Sequence, residues 1–263
     1  MPQRFKLTIS YDGGAYQGWQ IQPRGATIQG TIEAALRVMT RKKSRLIASG
    51  RTDAGVHALS QVAHFDCPTN LDARALQKGL NSLLPPDIVV ISCDAVPDTF
   101  HARFDAQRKL YRYRILNRPV PIAIGRHYVW RVAPRLDLDA MDAATALLLG
   151  RHDFSSFQST GSPRAHAVRQ VTRAELKPQP ENIMHFEIEA DGFLKQMVRN
   201  IVGTLVQVGL GRMNAEDLPR ILAAKDRRQA GPTAPASGLF LVRVFYGAET
   251  EESPLAQCNL ADR

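Results

Sequence analysis

A chain of 263 residues, 44% hydrophobic and 22% charged, is ordinary globular material with enough length for one large core or two smaller ones, and two subdomains are the better expectation. Lys and Arg number 34 against 25 Asp and Glu, a net +9, so the expected partner carries phosphate or an acidic surface, and nucleic acid comes first. No apolar run reaches the eighteen or so residues of a membrane span, and Met1 to Lys6 lacks the apolar stretch of a signal peptide, so a cytoplasmic protein is expected, with no membrane partner.

Arg4 to Tyr11 alternates Phe5, Leu7, Ile9 and Tyr11 with polar residues, the period of a half-buried strand. Asp12 to Gln20 follows, rich in glycine, with Tyr16 and Trp19 read as exposed. It is either a nucleotide-contacting loop or simply a turn, and it fits neither a Walker loop nor the dinucleotide fingerprint. Thr27 is placed to cap a helix whose inner face is Ile28, Ile32, Ala35, Leu36 and Met39. Arg41-Lys42-Lys43 at its end either meets phosphate or offsets the helix dipole.

Two apolar runs, Arg45 to Ser49 and Gln61 to Phe65, read as strands and bracket Gly50-Arg51-Thr52-Asp53-Ala54-Gly55-Val56-His57. Asp53 would then stand at the tip of a loop on a rigid sheet, where catalytic groups tend to be placed. The glycines permit a sharp turn and a close ligand approach, and Arg51 can pair with Asp53 and keep it ionised. The competing reading is a solvated turn in which Asp53 bonds its own backbone.

Asp72 caps a second helix with Leu76, Gly79, Leu80 and Leu83 inward, Pro85-Pro86 stops it, and Ile88 to Val96 returns as a strand. The order β-α-β-β-α-β is the split βαβ, or ferredoxin-like, unit. A second round begins at Lys109 to Leu116. A helix capped by Asp137 or Asp139 carries Met141, Ala144 and Leu148 inward, and strands follow at Arg169 to Leu176 and Ile183 to Ala190. An apolar helix at Leu194 to Val208, a short one from Asn214 to about Ala224 and a last strand at Gly238 to Tyr246 complete it. The fold class expected is therefore α+β, with a ferredoxin-like subdomain over 1–105, a second over 106–248 and a disordered polar tail over 249–263.

Four further groups of residues bear on chemistry. Tyr111 and Tyr113 share one face of a strand, with Arg112 and Arg114 on the other; this suits stacked bases and bound phosphates, and equally a core face backed by a solvated one. Arg199 stands among Leu194, Met197, Val198, Ile201 and Val202. If buried, it needs an acidic partner, for which Asp53 is the attractive choice, and otherwise it is a surface charge beside an apolar stripe. His152-Asp153-Phe154-Ser155-Ser156 holds the residue types of a hydrolase, but no Gly-x-Ser-x-Gly elbow exists, so it reads as structural. His57, His64, His101 and His166 show no metal-ligand spacing, and Cys67, Cys93 and Cys258 form no Cys-x-x-Cys pair, so neither a metal nor a disulfide framework is expected.

Six segments in order carry a resemblance: Gly50 to His57, Gln61 to Phe65, Phe100-His101-Ala102-Arg103-Phe104, Tyr111-Arg112-Tyr113, Gly150 to Phe157, and Met197-Val198-Arg199-Asn200-Ile201-Val202-Gly203. Together they resemble the tRNA pseudouridine synthase A (TruA) family from about Phe5 to Tyr246. The resemblance implies isomerisation of uridine to pseudouridine at positions 38, 39 and 40 of the tRNA anticodon arm by a cofactor-free homodimer. It further implies two ferredoxin-like subdomains whose mainly antiparallel sheets join into one central sheet, with helices packed on one face and the active cleft between the halves. The family's catalytic aspartate falls on Asp53, its active-site tyrosine on Tyr111, and the arginines of its motifs on Arg51 and Arg199. Lys195-Gln196, where relatives often carry histidines, and Leu110 before the tyrosine are mild departures. A non-catalytic RNA-binding module is the alternative that charge and architecture also permit.

Overall fold

The computed structural model describes residues 3–161 and 167–247. The tail expected over 249–263, along with His166 and Cys258, lies outside them. The chain divides into two compact units, one of residues 1–107 with the segment from Phe240 onward, the other of Arg108–Leu239.

In the first unit, β1 (Gln3–Tyr11), α1 (Ile28–Thr40), β2 (Ile47–Ala48), β3 (His57–Cys67), α2 (Ala73–Leu83) and β4 (Ile88–Val96) follow the expected order. β1 pairs antiparallel with β3 (Phe5 opposite Phe65) and with β4 (Phe5 opposite Ala95), and β2 pairs antiparallel with β3 (Ile47 opposite His64). The spatial order β4-β1-β3-β2 is that of the split βαβ motif. Both helices start on side-chain caps: Thr27 Oγ1 accepts from the Gly30 amide at 3.2 Å and Asp72 Oδ1 from the Ala75 amide at 2.7 Å. Ile28, Ile32 and Leu36 of α1, Leu76 and Leu80 of α2, and Phe5, Leu7, Ile9 and Phe65 of the sheet are all buried. Leu83, expected inward, is instead 47% exposed, because it closes the last turn of α2 where the chain swings toward Pro85-Pro86.

The second unit comprises β5 (Arg108–Asn117), β6 (Trp130–Val132), α3 (Leu138–Ala146), β7 (Gly150–Asp153), β8 (Val168–Gln179), β9 (Ile183–Ala190), α4 (Met197–Gly209) and α5 (Asp217–Ala224). Its sheet runs β5-β9-β8-β7, all antiparallel, with β6 added parallel to β5. Asp137, not Asp139, caps α3: its Oδ1 accepts from the Ala140 amide at 3.0 Å. α4 begins three residues later than its apolar run, because Gln196 takes a left-handed φ of 59° and the chain cannot be helical before it. β10 (Leu239–Phe245), placed by the sequence with the second half, groups with the first unit, where it runs parallel to β3 with Phe240 beside His57. Among the described residues no helix is long and apolar enough to cross a membrane.

Two imidazoles, His64 buried and His185 half-buried, make the fold sensitive to acid. His64 Nδ1 accepts from the Ala102 amide at 3.1 Å; burial, with the nearby charges of His101 and Arg4, pushes its pKa down to about 4. Burial, with Arg112 and Arg114, does the same to His185. Below the ordinary histidine pKa of 6.5 the unfolded chain takes up protons that the fold refuses. The stabilisation is thus complete above 6.5 and is lost as pH falls toward 4, at up to about 1.4 kcal/mol per pH unit for each ring. A series of melts between pH 7 and 4.5 should show a falling midpoint, and His64→Gln should flatten it; equal slopes in the two proteins would contradict the assignment.

Candidate active site

The Asp53 turn belongs to the first unit, between β2 and β3, and is closed by its main chain, with the Val56 amide donating to Asp53 O at 3.2 Å and Gly55 at φ 77°. Arg51 is exposed and Asp53 half-buried, while Thr52 and Val56 point inward. So the two charged residues share the outward side of one loop.

The glycine-rich segment Asp12 to Gln20 lies along this turn. The Trp19 amide donates to Thr52 O at 3.1 Å and the Gly55 amide to Tyr16 O at 3.3 Å. A Cβ on Gly13 would stand 2.0 Å from Val56 O, and one on Gly18, at φ +85°, would stand 2.6 Å from Thr52 O and 2.9 Å from the Asp53 carbonyl carbon. These glycines are required because one backbone presses directly on another. Trp19 and Tyr16, expected to be exposed, are buried at 1% and 7% exposure; the segment is a brace for the Asp53 turn. His57, 2% exposed and stacked on Phe240 with centroids 4.8 Å apart, anchors the far end. Its Nδ1 lies 3.1 Å from the Gly13 amide and 2.9 Å from Asp12 Oδ1, so the protonation of that nitrogen decides which of the two it bonds.

In the second unit Tyr111 is 7% exposed on β5, its ring held edge-on to Phe193 with centroids 4.9 Å apart. Tyr113, on the same face, is fully buried and donates to Pro235 O at 2.7 Å. On the opposite face Arg114 is half-buried with its Nε lacking a hydrogen-bond partner, whereas Arg112 is paired rather than free. Arg112 bonds the buried Glu187 through Nε at 2.7 Å and a terminal nitrogen at 2.6 Å, and Arg173 and Lys177 reach the other carboxylate oxygen at 3.1 and 3.0 Å. Burial pushes the Glu187 carboxyl up, but Arg112 and Lys177 outweigh it and hold the group below the ordinary range.

Arg199 lies in the first turn of α4 and is half-buried. Its Nε donates to Ala234 O at 2.8 Å, while the Ala234 amide donates to Arg199 O at 3.1 Å. The charge faces the Tyr113 hydroxyl closely enough to oppose the upward shift that burial imposes on it. The neighbouring Asn200, fully buried, ties the next loop to α4: its Oδ1 accepts from Thr233 Oγ1 at 2.7 Å and from Arg227 at 3.0 Å, and its Nδ2 donates to Phe157 O at 2.7 Å.

The residues of the discarded hydrolase reading are spent on structure. Asp153 Oδ1 accepts from the amide and hydroxyl of Ser155 at 3.0 and 2.6 Å, and Ser156 Oγ donates to Ile221 O. Among the described residues no three His, Cys, Asp or Glu side chains gather as metal ligands would. What the sequence reading missed is the polar set beneath the turn, Tyr11, Ser49, Thr52 and Gln61, all buried. Its signal was Ser49 and Gln61, uncharged polar residues at the turn-facing ends of the two runs read as strands.

Comparison with known proteins gives this geometry its setting. The family model described as tRNA pseudouridine synthase matches residues 7–105 and 144–247. A protein of Acetivibrio thermocellus named tRNA pseudouridine synthase A is 46% identical over 241 residues, covering 92% of this chain and 98% of that relative. Proteins of the same name from Moorella thermoacetica (47% over 243 residues, 92% and 98%) and Maridesulfovibrio salexigens (45% over 267 residues, 98% and 98%) match comparably. This is a family of isomerases, so the alternative of a non-catalytic RNA-binding module is set aside, and the chain belongs to the tRNA pseudouridine synthase family.

Proposed function

We propose that this protein isomerises uridine to pseudouridine at positions 38, 39 and 40 of the tRNA anticodon arm without a cofactor, with Asp53 as the catalytic carboxylate and Tyr111, Arg51 and Arg199 as substrate contacts. The observation that carries the reading is a half-buried carboxylate on a turn braced from both sides, beside an exposed arginine, in a chain whose relatives are named for this activity. In the same reading it works in the cytoplasm as a homodimer.

The reaction breaks N1–C1′, turns the uracil and joins C5 to C1′; the proton on C5 leaves and N1 gains one, with no oxidation or hydrolysis. A carboxylate serves in either of two ways, attacking C1′ or taking the C2′ proton to give a glycal. Tyr111 offers a ring face for the uracil and a phenol for the C5 proton. The second role needs a cation nearby, since a free phenol titrates near pH 10. Arg51 and Arg199 supply positive charge for the RNA backbone. The target base must leave its stack at a cost of a few kcal/mol, offset by phosphate contacts to a chain of net charge +9.

Unmodified tRNA carrying uridine tritiated at C5 should release tritium on incubation with the purified protein, and base-resolution mapping should place the product at 38, 39 and 40. Release with product elsewhere would overturn the position assignment; no release would overturn the activity.

A further inference from the structure

The geometry points to Tyr11 and Gln61 as positioning residues for the reaction, holding the Arg51–Asp53 segment through a buried hydrogen-bond relay that grips the chain on both sides of Arg51. The inference rests on the reading of Asp53 given above. Gln61, on β3 and 0% exposed, uses both ends of its amide: Oε1 accepts from Ser49 Oγ at 2.7 Å, and Nε2 donates to Gly50 O at 3.0 Å and to Tyr11 Oη at 3.4 Å. Tyr11 Oη and Thr52 Oγ1 share a bond of 2.8 Å. The Gln61 amide donates to the phenol oxygen, and either hydroxyl can be the donor in the Tyr11–Thr52 bond. Burial pushes the Tyr11 hydroxyl up to about 12, so it stays protonated and able to donate across the working range.

The arrangement is directional. Gly50 and Thr52, the residues either side of Arg51, are pulled inward onto β1 and β3, so Arg51 is turned outward, with Asp53 next along the turn. The glycine segment holds the main chain of the turn, through the Trp19 bond to Thr52 O and the Gly55 bond to Tyr16 O and by close approach to Val56; the relay adds the side-chain constraint on Thr52 and a hold on Gly50. A buried relay costs stability wherever it is left incomplete, and a displacement of about 1 Å at a reacting group can cost roughly a hundredfold in rate. The relay therefore acts chiefly on kcat, through Asp53; Arg51 is one cation among the 34 Lys and Arg of the chain, so tRNA affinity changes little.

The experiment measures single-turnover isomerisation with enzyme in excess, tRNA affinity and the melting midpoint for Tyr11→Phe, Thr52→Val, Thr52→Ser and the double variant Tyr11→Phe/Thr52→Val. Tyr11→Phe and Thr52→Val should each slow the chemical step about 10- to 100-fold with tRNA affinity held within about threefold. Thr52→Ser, which keeps the oxygen, should stay within about threefold of the parent, and the double variant should be no slower than the worse single one, since both break one link. Full rate in folded Tyr11→Phe, multiplying losses in the double variant, or Thr52→Ser as slow as Thr52→Val would overturn the inference. Should Tyr11→Phe not fold, the Thr52→Ser and Thr52→Val pair decides alone. Asp53→Asn is run beside them: turnover there sinks the reading of Asp53, whereas a dead Asp53→Asn beside a fully active Tyr11→Phe sinks only the relay.

Discussion

Asp53→Asn is expected to lower isomerisation by about four orders of magnitude or more while tRNA affinity changes by less than about threefold. The amide is nearly isosteric, so the turn that carries it should survive, held by main-chain bonds from Trp19, Gly55 and Val56 and by the Gln61 bond to Gly50 O. What is lost is the negative charge, and with it the nucleophile for C1′ or the base for the C2′ proton. Affinity should persist because phosphate contacts, spread over a chain with 34 Lys and Arg, dominate RNA binding. Filter binding beside steady-state tritium release separates the two. Loss of binding in parallel with activity would mean that Asp53 holds RNA, or the turn, rather than reacting.

Gly203→Ala is expected to destabilise the fold by about 3 kcal/mol, lowering the melting midpoint by roughly 6 to 12 °C. On helix propensity alone the exchange should help, because glycine inside a helix is worth about 1 kcal/mol less than alanine. Packing reverses the sign. The new Cβ would stand 1.7 Å from Pro232 O and 2.9 Å from its carbonyl carbon, and that loop cannot easily retreat. The Gly231 amide donates to Thr204 Oγ1 at 2.8 Å, Thr233 is bound to Asn200, and Ala234 exchanges bonds with Arg199. Displacing it also moves the carbonyl that orients Arg199, so turnover at temperatures below the transition should fall with stability. A melt within about 2 °C of the parent would show that the loop yields freely and that the close approach is not a constraint.

The first unit was legible because its signals are local: the alternation of β1, and caps at Thr27 and Asp72 three residues before the amides they bind. The second was harder where long-range partners decide. Arg112 could not be told from a phosphate contact until β9 placed Glu187 beside it, 75 residues away in the chain. The start of α4 depends on one left-handed residue, Gln196, whose side chain does not announce it, and β7 is only four residues long. β10 reads clearly as a strand, but its place beside β3 rests on pairing that no local pattern encodes. Of the residues proposed for the chemistry, Asp53, Arg51, Tyr111 and Arg199 stood out by residue type. The glycine brace did not, since contact between Gly18 and the Thr52–Asp53 backbone is a matter of tenths of an ångström.

The central claim is that the Asp53 carboxylate performs the chemistry on a tRNA uridine. Its most direct test is a single-turnover assay with Asp53→Asn in large excess over tRNA tritiated at C5 of uridine, under conditions where all the RNA is bound. The account predicts no tritium release above background over a time in which the parent protein completes the reaction; release within about tenfold of the parent rate would contradict it, because bound substrate would then be converted without the carboxylate.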